Sequence, residues 1–479
     1  MIMPDKSDIV KITGLFSLTV LIRYFAPTAV FFILLVLFLF FFFNSKKSYL
    51  WLAFLFIIDS SPGGLFSMQD EVHSFSFISG AGIGNLYFYI PFIIIALVKV
   101  RKVKVTYPKY FLQTILGVLI FYFVFLLAGN GIYKWTAIVR LTLPWLLLYI
   151  VPRLLRDEDD YAKFFNLIFP FVTFVLITQV YKLFTAQEFV TLLGGTGNPS
   201  LAQWKDILDA NAALRPAEGI FIPFVALFGS VYFLTKRKQM YFRPNYLFLI
   251  TGLSVLSIFI TATRAWLLAA LFILICYTFI ESKNPVRLIT KYAFPAFFVA
   301  LIIILVPFLS LQADLALQRY ETIGFLLQGD ITAGGTLSRL SVRAPQVMSH
   351  YYQKPIFGWG YGNEGASFSD GHVGHQNLLM HTGLVGYLLF VIFWITFLIK
   401  MAAVNKRATS RSAYYKLPTI LIIFFLAIHI INTSAQWFNY LTTYGTGFVF
   451  SLLFSLGNML YWGILNEEKM LKMNKKSDR

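Results

Sequence analysis

Long, uninterrupted apolar runs constrain this chain more than any other feature of its sequence. Residues 24–43, 110–129 and 292–311 approach or reach the roughly 20 residues that a helix needs to cross about 30 Å of hydrocarbon. The runs do not alternate apolar with polar residues, which argues against barrel strands. Only 13% of the 479 residues are charged, against roughly a quarter in a typical soluble chain. The sequence therefore predicts an all-α polytopic membrane protein that forms a single membrane domain, residues 1–479.

The net charge of +18 follows the positive-inside pattern of membrane proteins, so we expect no nucleic-acid partner. Most of the 40 Lys and Arg fall in seven short segments between the apolar runs. Cytoplasmic loops carry such an excess of basic residues, and anionic headgroups on that side attract them. We therefore expect the C-terminus and these basic segments to face the cytoplasm: residues 46–47, 99–109, 153–163, 236–243, 283–291, 400–416 and 469–479.

The spacing of the apolar runs predicts 12–14 transmembrane helices. Residues 9–23 are either a further short crossing or an interfacial helix, which leaves the side of the N-terminus open. Two long connections face outward, at 185–218 and 312–376. Loops longer than about 15 residues are usually functional or disordered. Within the larger connection, apolar residues recur at helical spacing over 338–352, which predicts a short helix and makes this loop partly helical.

The sequence carries no pattern typical of a metal or nucleotide site. There is one cysteine, Cys276, and no Walker A, HExxH or EF-hand sequence. The acids of the outer loops are scattered without metal-ligand spacing. We therefore predict a metal-independent function without a cofactor.

Histidines concentrate where the larger loop meets the next helix. Four of the six histidines, at 350, 372, 375 and 381, lie there among glycines. An imidazole at the membrane boundary can titrate near neutral pH and accept a proton from a hydroxyl. In the simpler alternative, these histidines only form hydrogen bonds within the loop.

Arginines supply the second set of candidate residues. Arg264 lies in an apolar stretch whose two flanks are both basic, so the stretch crosses twice and Arg264 lies near its outer turn. An arginine at membrane depth is costly unless it is paired or hydrated, and its guanidinium suits bidentate phosphate binding. Snorkelling to the outer surface is the alternative. Arg215 and Arg339 lie beside glycine-containing outer segments, so the three arginines are candidates for one cationic cluster.

Motifs across residues 200–390 resemble those of the O-antigen ligase and O-antigen polymerase family of bacterial membrane glycosyltransferases. Family members carry a helix-borne Ser/Thr-Arg with a leucine four residues after the arginine, which Thr263, Arg264 and Leu268 match. A loop arginine then precedes Pro-(apolar)₂-Gly-x-Gly by about sixteen residues. Arg339 and the sequence Pro-Ile-Phe-Gly-Trp-Gly at 355–360 have that spacing, and Arg215 is a looser match to an earlier loop arginine.

The last family motif is divided between two histidines in this chain. The family has a histidine, usually followed by Asn, Ser or Gln, eleven residues before Gly-x-x-Gly. His372 has that distance to Gly383 and Gly386 but is followed by Val373. His375 is followed by Gln but lies only eight residues before Gly383. Spacing favours His372, and both remain candidate bases.

The resemblance implies an enzyme of surface polysaccharide or lipopolysaccharide biosynthesis in the bacterial inner membrane, with its active site facing the periplasm. The donor is a glycan on undecaprenyl diphosphate, whose diphosphate Arg264 binds together with Arg339 or Arg215. His372 or His375 deprotonates or orients an acceptor hydroxyl, and the reaction inverts the anomeric centre. Diphosphate is a good leaving group that two guanidiniums stabilise without a metal.

Three questions stay open at this level. A polymerase transfers to another lipid-linked repeat unit and a ligase to a lipid A core, and the sequence does not separate them. A flippase or other polysaccharide transporter is the main alternative function. It predicts a charged central cavity and a repeat, and neither is visible in the sequence. A non-catalytic membrane scaffold is the third reading, which does not require the arginine and histidine pattern.

Overall fold

The computed structural model is built from helices joined mostly by short connections. It describes residues 6–66, 74–75, 86–87, 89–106, 143–195, 216–236, 241–261, 263–281, 328, 342–360, 363–410, 412–433 and 444–477. Within those ranges the α-helices are α1 (Lys6–Phe25), α2 (Thr28–Asn44), α3 (Ser48–Asp59), α4 (Tyr89–Val100), α5 (Leu147–Leu154), α6 (Glu158–Thr185), α7 (Phe221–Thr235), α8 (Pro244–Ile260), α9 (Arg264–Glu281), α10 (Ala344–Tyr351), α11 (Asn363–Phe368), α12 (Gly374–Arg407), α13 (Leu417–Asn432) and α14 (Tyr444–Ser477).

A short pair of strands accompanies the helices. Strands β1 (Ser74–Phe75) and β2 (Leu86–Tyr87) pair antiparallel between α3 and α4, with Ser74 opposite Tyr87. The sequence predicts only helices, so this pair is a difference from the expectation. It is too short to change the helical class of the fold.

Four of the described helices are long and apolar enough to cross a membrane: α6, α9, α12 and residues Gly447–Met473 of α14. Six shorter apolar helices accompany them. Helix α2 exposes large apolar side chains, among them Ile33 at 59% and Phe40 at 63%. Extensive apolar surface of this kind is stable against lipid or another protein and not against water. The helical, membrane-type character that the composition predicts is confirmed.

Charged side chains next to the helix ends gather at one end of the bundle, here called the basic end. Most of these contacts involve a lysine or arginine from one of the basic segments. They join neighbouring helix termini in a continuous chain: Lys47 with Asp8, Lys99 with the carbonyl of Phe42, Lys163 with the ring of Tyr49, Arg153 with the carbonyl of Val103, Lys236 with Glu158, Lys416 with the carbonyl of Ile280, and Arg407 with Glu468. Segments that the charge pattern groups together are therefore also together in space.

Helix α1 runs from the basic end to the opposite end. Near its start, Asp8 accepts hydrogen bonds from Lys47 Nζ and Tyr49 Oη, both at 2.6 Å. Near its end, Tyr24 Oη donates to the carbonyl of Leu65 at 2.7 Å, beyond the far end of α3. The helix has 20 residues, or about 30 Å at 1.5 Å per residue. Of the two alternatives for residues 9–23, this end-to-end placement favours a full crossing.

Aromatic packing holds together the three helices nearest the C-terminus. Phe397 of α12 lies 5.1 Å from Phe425 of α13 and 4.5 Å from Phe454 of α14, measured between ring centroids. Phe393 stacks on the same Phe454 ring at 4.5 Å. These rings are almost fully buried, and aromatic pairs at such distances add to the stabilisation from burial. Helix α12 is therefore firmly placed before it reaches the candidate site.

Candidate active site

Helix α12 is broken at Gly383, and residues 355–360 cross the break. Gly383 has φ 62° and ψ −173°, a region of backbone space that is essentially open to glycine alone. Four backbone hydrogen bonds join the crossing segment to the helix: Trp359 N to Met380 O at 2.9 Å, Gly360 N to His381 O at 2.8 Å, Leu384 N to Pro355 O at 2.8 Å, and Val385 N to Ile356 O at 3.1 Å. The segment thus replaces partners that an interrupted helix loses, which apolar surroundings require.

Two glycines allow the segment and the helix to approach this closely. A Cβ atom on Gly358 would lie 2.5 Å from Gly383 N, and one on Gly383 would lie 2.3 Å from Ile356 O. Gly358 also has a positive φ of 70°, which glycine adopts without strain. The Pro-(apolar)₂-Gly-x-Gly and Gly-x-x-Gly motifs, which the sequence presents separately, therefore form one packed unit.

A small cluster beside this unit accounts for two of the four clustered histidines. His350, on α10, stacks on Phe368 with ring centroids 3.9 Å apart, and its carbonyl accepts from Trp359 Nε1 at 2.8 Å. His381 is fully buried, and its Nδ1 lies 2.6 Å from the carbonyl of Gly360. Helix α10 lies inside the segment 338–352 that the sequence predicts as helical, so that prediction is confirmed. His350 and His381 have packing and hydrogen-bonding roles.

Asp370 organises the turn that precedes α12. Its carboxylate accepts the backbone N–H of His372 at 2.8 Å and a guanidinium N–H of Arg343 at 3.4 Å. The fully buried Asn377 accepts from the N–H of Asp370 at 3.0 Å and donates to its carbonyl. A short polar side chain that binds the backbone two residues on makes an Asx turn, which fixes the local chain direction. The loop carrying His372 is therefore held at both of its ends.

The two candidate bases have different surroundings. His372 is exposed at the tip of the Asp370 turn. His375 is half-buried in the first turn of α12, and its ring lies parallel to that of His429 on α13, with centroids 5.6 Å apart and an interplanar angle of 6°. Trp394 packs edge-on against both rings. His372 thus faces the surroundings of the bundle end, whereas His375 contacts a neighbouring helix.

Arg264 is the first residue of α9 and is half-buried. Helix α9 packs on α13, and Lys416 at the start of α13 donates to the carbonyl of Ile280 near the end of α9. The two helices are therefore antiparallel. Sixteen residues separate Arg264 from Ile280 and Lys416 from Asn432, which is about 24 Å of helix in each case. Arg264 consequently lies level with Asn432, at the bundle end that also carries His375.

Two predicted site residues, Arg215 and Arg339, lie outside the described residues, as do parts of the connections 185–218 and 312–376. The structure instead adds Arg343 and His429 to the site region. Arg343 follows Arg339 by four residues, the helical repeat that puts two side chains on one face, and this spacing is the signal that points to it. His429 is a lone imidazole in an apolar helix, and nothing in the sequence links it to His375.

The chemistry available at this end is that of cations and imidazoles. Helices α9 and α12 both begin here, and helix N-termini attract anions through their free N–H groups. Among the residues that the structure describes, no group of three or more His, Cys, Asp or Glu side chains is placed to hold a metal ion. The chain matches no protein-family model and no curated protein sequence.

Proposed function

We propose that this chain is a membrane glycosyltransferase of the O-antigen ligase/polymerase type. It transfers a glycan from undecaprenyl diphosphate to a sugar hydroxyl at the periplasmic face of the bacterial inner membrane. One observation carries the proposal: the start of α9 with Arg264 and the start of α12 with its two histidines lie at the same end of the bundle, opposite the basic end. A cationic anchor and a proton acceptor thus share the end that a lipid-linked donor reaches from the outer leaflet.

The proposed topology follows from the same contacts. The basic end is cytoplasmic by the positive-inside rule. Counting α1 as a full crossing brings the total to fourteen and puts the N-terminus in the cytoplasm with the C-terminus. A single cysteine at position 6, in a chain with Cys276→Ser, tests this in sealed inner-membrane vesicles of known orientation. Labelling by an impermeant maleimide only after the cytoplasmic face becomes accessible is the expected result, and labelling from the periplasmic face contradicts fourteen crossings.

Arg264 binds the donor diphosphate in this mechanism, together with Arg339 and Arg215. The guanidinium and the N-terminal amides of α9 offer N–H donors to the same anion. As the bond between the anomeric carbon and the diphosphate oxygen breaks, negative charge grows on the leaving group. Preformed donors stabilise that charge, which lowers the barrier without an ionised acceptor in the ground state.

His372 is the proposed base. The acceptor hydroxyl oxygen attacks the anomeric carbon from the face opposite the diphosphate, its proton passes to the imidazole, and the configuration inverts. Exposure supports His372 over His375, since a glycan acceptor has to reach the imidazole in the required geometry. Asp370, held by Arg343 and Asn377, positions the His372 turn. His375 and His429 support the first turn of α12 from inside the bundle.

Reconstituted transfer tests the proposal. Purified protein receives a lipid-linked repeat unit, with or without a lipid A core acceptor, and released undecaprenyl diphosphate is measured. We expect Arg264→Ala, Arg339→Ala and His372→Ala each to lower the rate by at least about 100-fold, the lower bound for removing a proton-transfer group. His350→Phe is the matched control, because it retains an aromatic ring against Phe368 and removes an imidazole outside the site.

Each outcome has a defined reading. Product with the repeat unit alone identifies a polymerase, and product only with the lipid A core identifies a ligase. Loss in His375→Ala with full activity in His372→Ala moves the base to His375. Activity that survives all the substitutions removes the proposed site. Donor movement across the bilayer with no glycan transfer by the wild type supports the flippase alternative instead.

A further inference from the structure

A cleft of about 170 Å³ opens at the basic end of the bundle, far from the candidate active site. It lies between the segment that follows α4, the connection from α5 to α6, and α14. One water molecule needs only roughly 10–15 Å³ of such space, so the cleft holds a much larger group. Its polar lining residues are Lys104, Arg156, Tyr161, Ser455 and Asn458.

The walls of the cleft are fixed by hydrogen bonds between separate elements. Arg153 Nε, on α5, donates to the carbonyl of Val103 at 3.2 Å. Trp462 Nε1, on α14, donates to the carbonyl of Thr106 at 2.8 Å. Residues 103–106 are therefore attached on both sides, and the cleft is a built feature of the fold.

Asn458 is a buried polar group that the protein leaves incompletely satisfied. It is only 8% exposed, and its Oδ1 finds no hydrogen-bond partner among the residues that the structure describes. Buried side-chain polar atoms nearly always have a partner. Beside it, Tyr161 Oη and Ser455 Oγ are hydrogen-bonded to each other. The inner part of the cleft thus offers an acceptor to a donor group from a bound molecule.

The rim of the cleft is cationic. Lys104 and Arg156 are both exposed there. The nearby carboxylates of Asp157 and Asp160 are engaged by backbone N–H groups at the start of α6: Asp157 accepts from Asp160 N at 2.9 Å, and Asp160 accepts from Arg156 N at 3.1 Å. The two cations are therefore available to an anion.

The depth of the cleft matches the boundary between headgroups and acyl chains. Asn458 precedes Trp462 by one helical turn, about 6 Å along α14. Lys400 Nζ lies 5.8 Å from the ring centroid of Tyr461 at the same level. Tryptophan, tyrosine and lysine side chains of this kind mark the membrane–water interface.

We propose that this cleft binds the phosphoglycerol headgroup of an anionic phospholipid from the leaflet next to the basic end. The phosphate lies between Lys104 and Arg156, and a hydroxyl of the terminal glycerol donates to Asn458 Oδ1. The acyl chains leave past the apolar lining residues Val105 and Met459. Basic pockets between membrane helices are suited to such headgroups. The site is independent of the proposed glycosyl transfer.

Native mass spectrometry of the full chain tests the site. Protein is released from nanodiscs that contain equal phosphatidylglycerol and phosphatidylcholine, and the retained lipids are counted. The wild type should retain phosphatidylglycerol selectively, and Lys104→Gln/Arg156→Gln should lower that selectivity by roughly tenfold, since two charge-assisted contacts are lost. Lys102→Gln is the matched control, because it removes an exposed charge from the same segment outside the cleft. Both rim residues are exposed, so the double variant should fold.

Two further arms separate the possible ligands. Asn458→Leu should reduce retention of phosphatidylglycerol but not of phosphatidic acid, which lacks the terminal glycerol. Inorganic phosphate added to phosphatidylcholine nanodiscs should not raise the melting temperature. Equal phosphatidylglycerol retention by the wild type, Lys102→Gln and the double variant overturns the proposal. An Arg156-dependent rise with inorganic phosphate, without lipid selectivity, overturns it in favour of a free-phosphate site.

Discussion

Gly383→Ala should separate the crossing segment from α12 and disturb the turn that carries His372. Alanine in the backbone conformation of Gly383 costs about 1–3 kcal/mol. Its Cβ would also meet Ile356 O at 2.3 Å and Gly358 N at 2.5 Å. Both contacts are backbone atoms, so a side-chain rotation does not relieve them and the segment has to move.

The cost of that movement follows from the hydrogen bonds across the break. Four backbone bonds join the segment to the helix, and each contributes roughly 0.5–1.5 kcal/mol net. Loss of two bonds adds about 1–3 kcal/mol to the strain, so the total destabilisation is about 2–6 kcal/mol. A loss of about 2 kcal/mol in local opening free energy raises amide exchange by about 30-fold.

Hydrogen exchange by mass spectrometry measures this effect in nanodiscs, at peptides containing Trp359, Gly360, Leu384 and Val385. Gly371→Ala is the matched control, because a Cβ there meets nothing within 4 Å. We expect fast exchange in Gly383→Ala and unchanged exchange in Gly371→Ala. Equal protection and equal melting temperatures in the two variants would refute the account of the break as a backbone-to-backbone contact that only glycine permits.

Two predictions concern buried charges elsewhere in the bundle. Lys182→Met removes the cation that contacts Glu188 at 3.6 Å and Glu218 at 2.5 Å, with the Lys182 and Glu188 side chains 6% and 4% exposed; we expect destabilisation of about 3–5 kcal/mol. A loss below about 1 kcal/mol in thermal unfolding would show that this cluster is solvated. Tyr49→Phe removes a 2.6 Å donor to Asp8 and should cost about 1.5–3 kcal/mol. An unchanged melting temperature would mean that α1 is held in place by other contacts.

The helical class and the grouping of the basic segments follow from sequence because they depend on local chemistry. Twenty apolar residues can satisfy their backbone in lipid only as a helix, wherever the neighbouring helices lie. Lysines and arginines avoid hydrocarbon whichever partners they find. Contacts such as Lys99 with Phe42 and Lys236 with Glu158 therefore connect segments that the sequence already assigns to one side.

The candidate site was predictable only as a collection of residues. Arg264 and the two histidines stand out because polar groups are rare in this chain, and their spacing resembles a known family. Their separate environments depend on contacts between distant segments. His375 meets His429 across 54 positions of sequence, and Asp370 meets Arg343 across 27. A periodic pattern carries no information on such pairs.

The sequence by itself determined that this chain forms apolar helices with a basic side and an outer cluster of arginine and histidine. Tertiary structure decided that α12 breaks at Gly383 and that residues 355–360 supply the missing backbone partners. It also decided that His372 stays exposed while His375 packs against α13. The physical reason is that helix formation and charge placement are satisfied within a few residues, whereas a close backbone crossing exists only after two remote glycines meet.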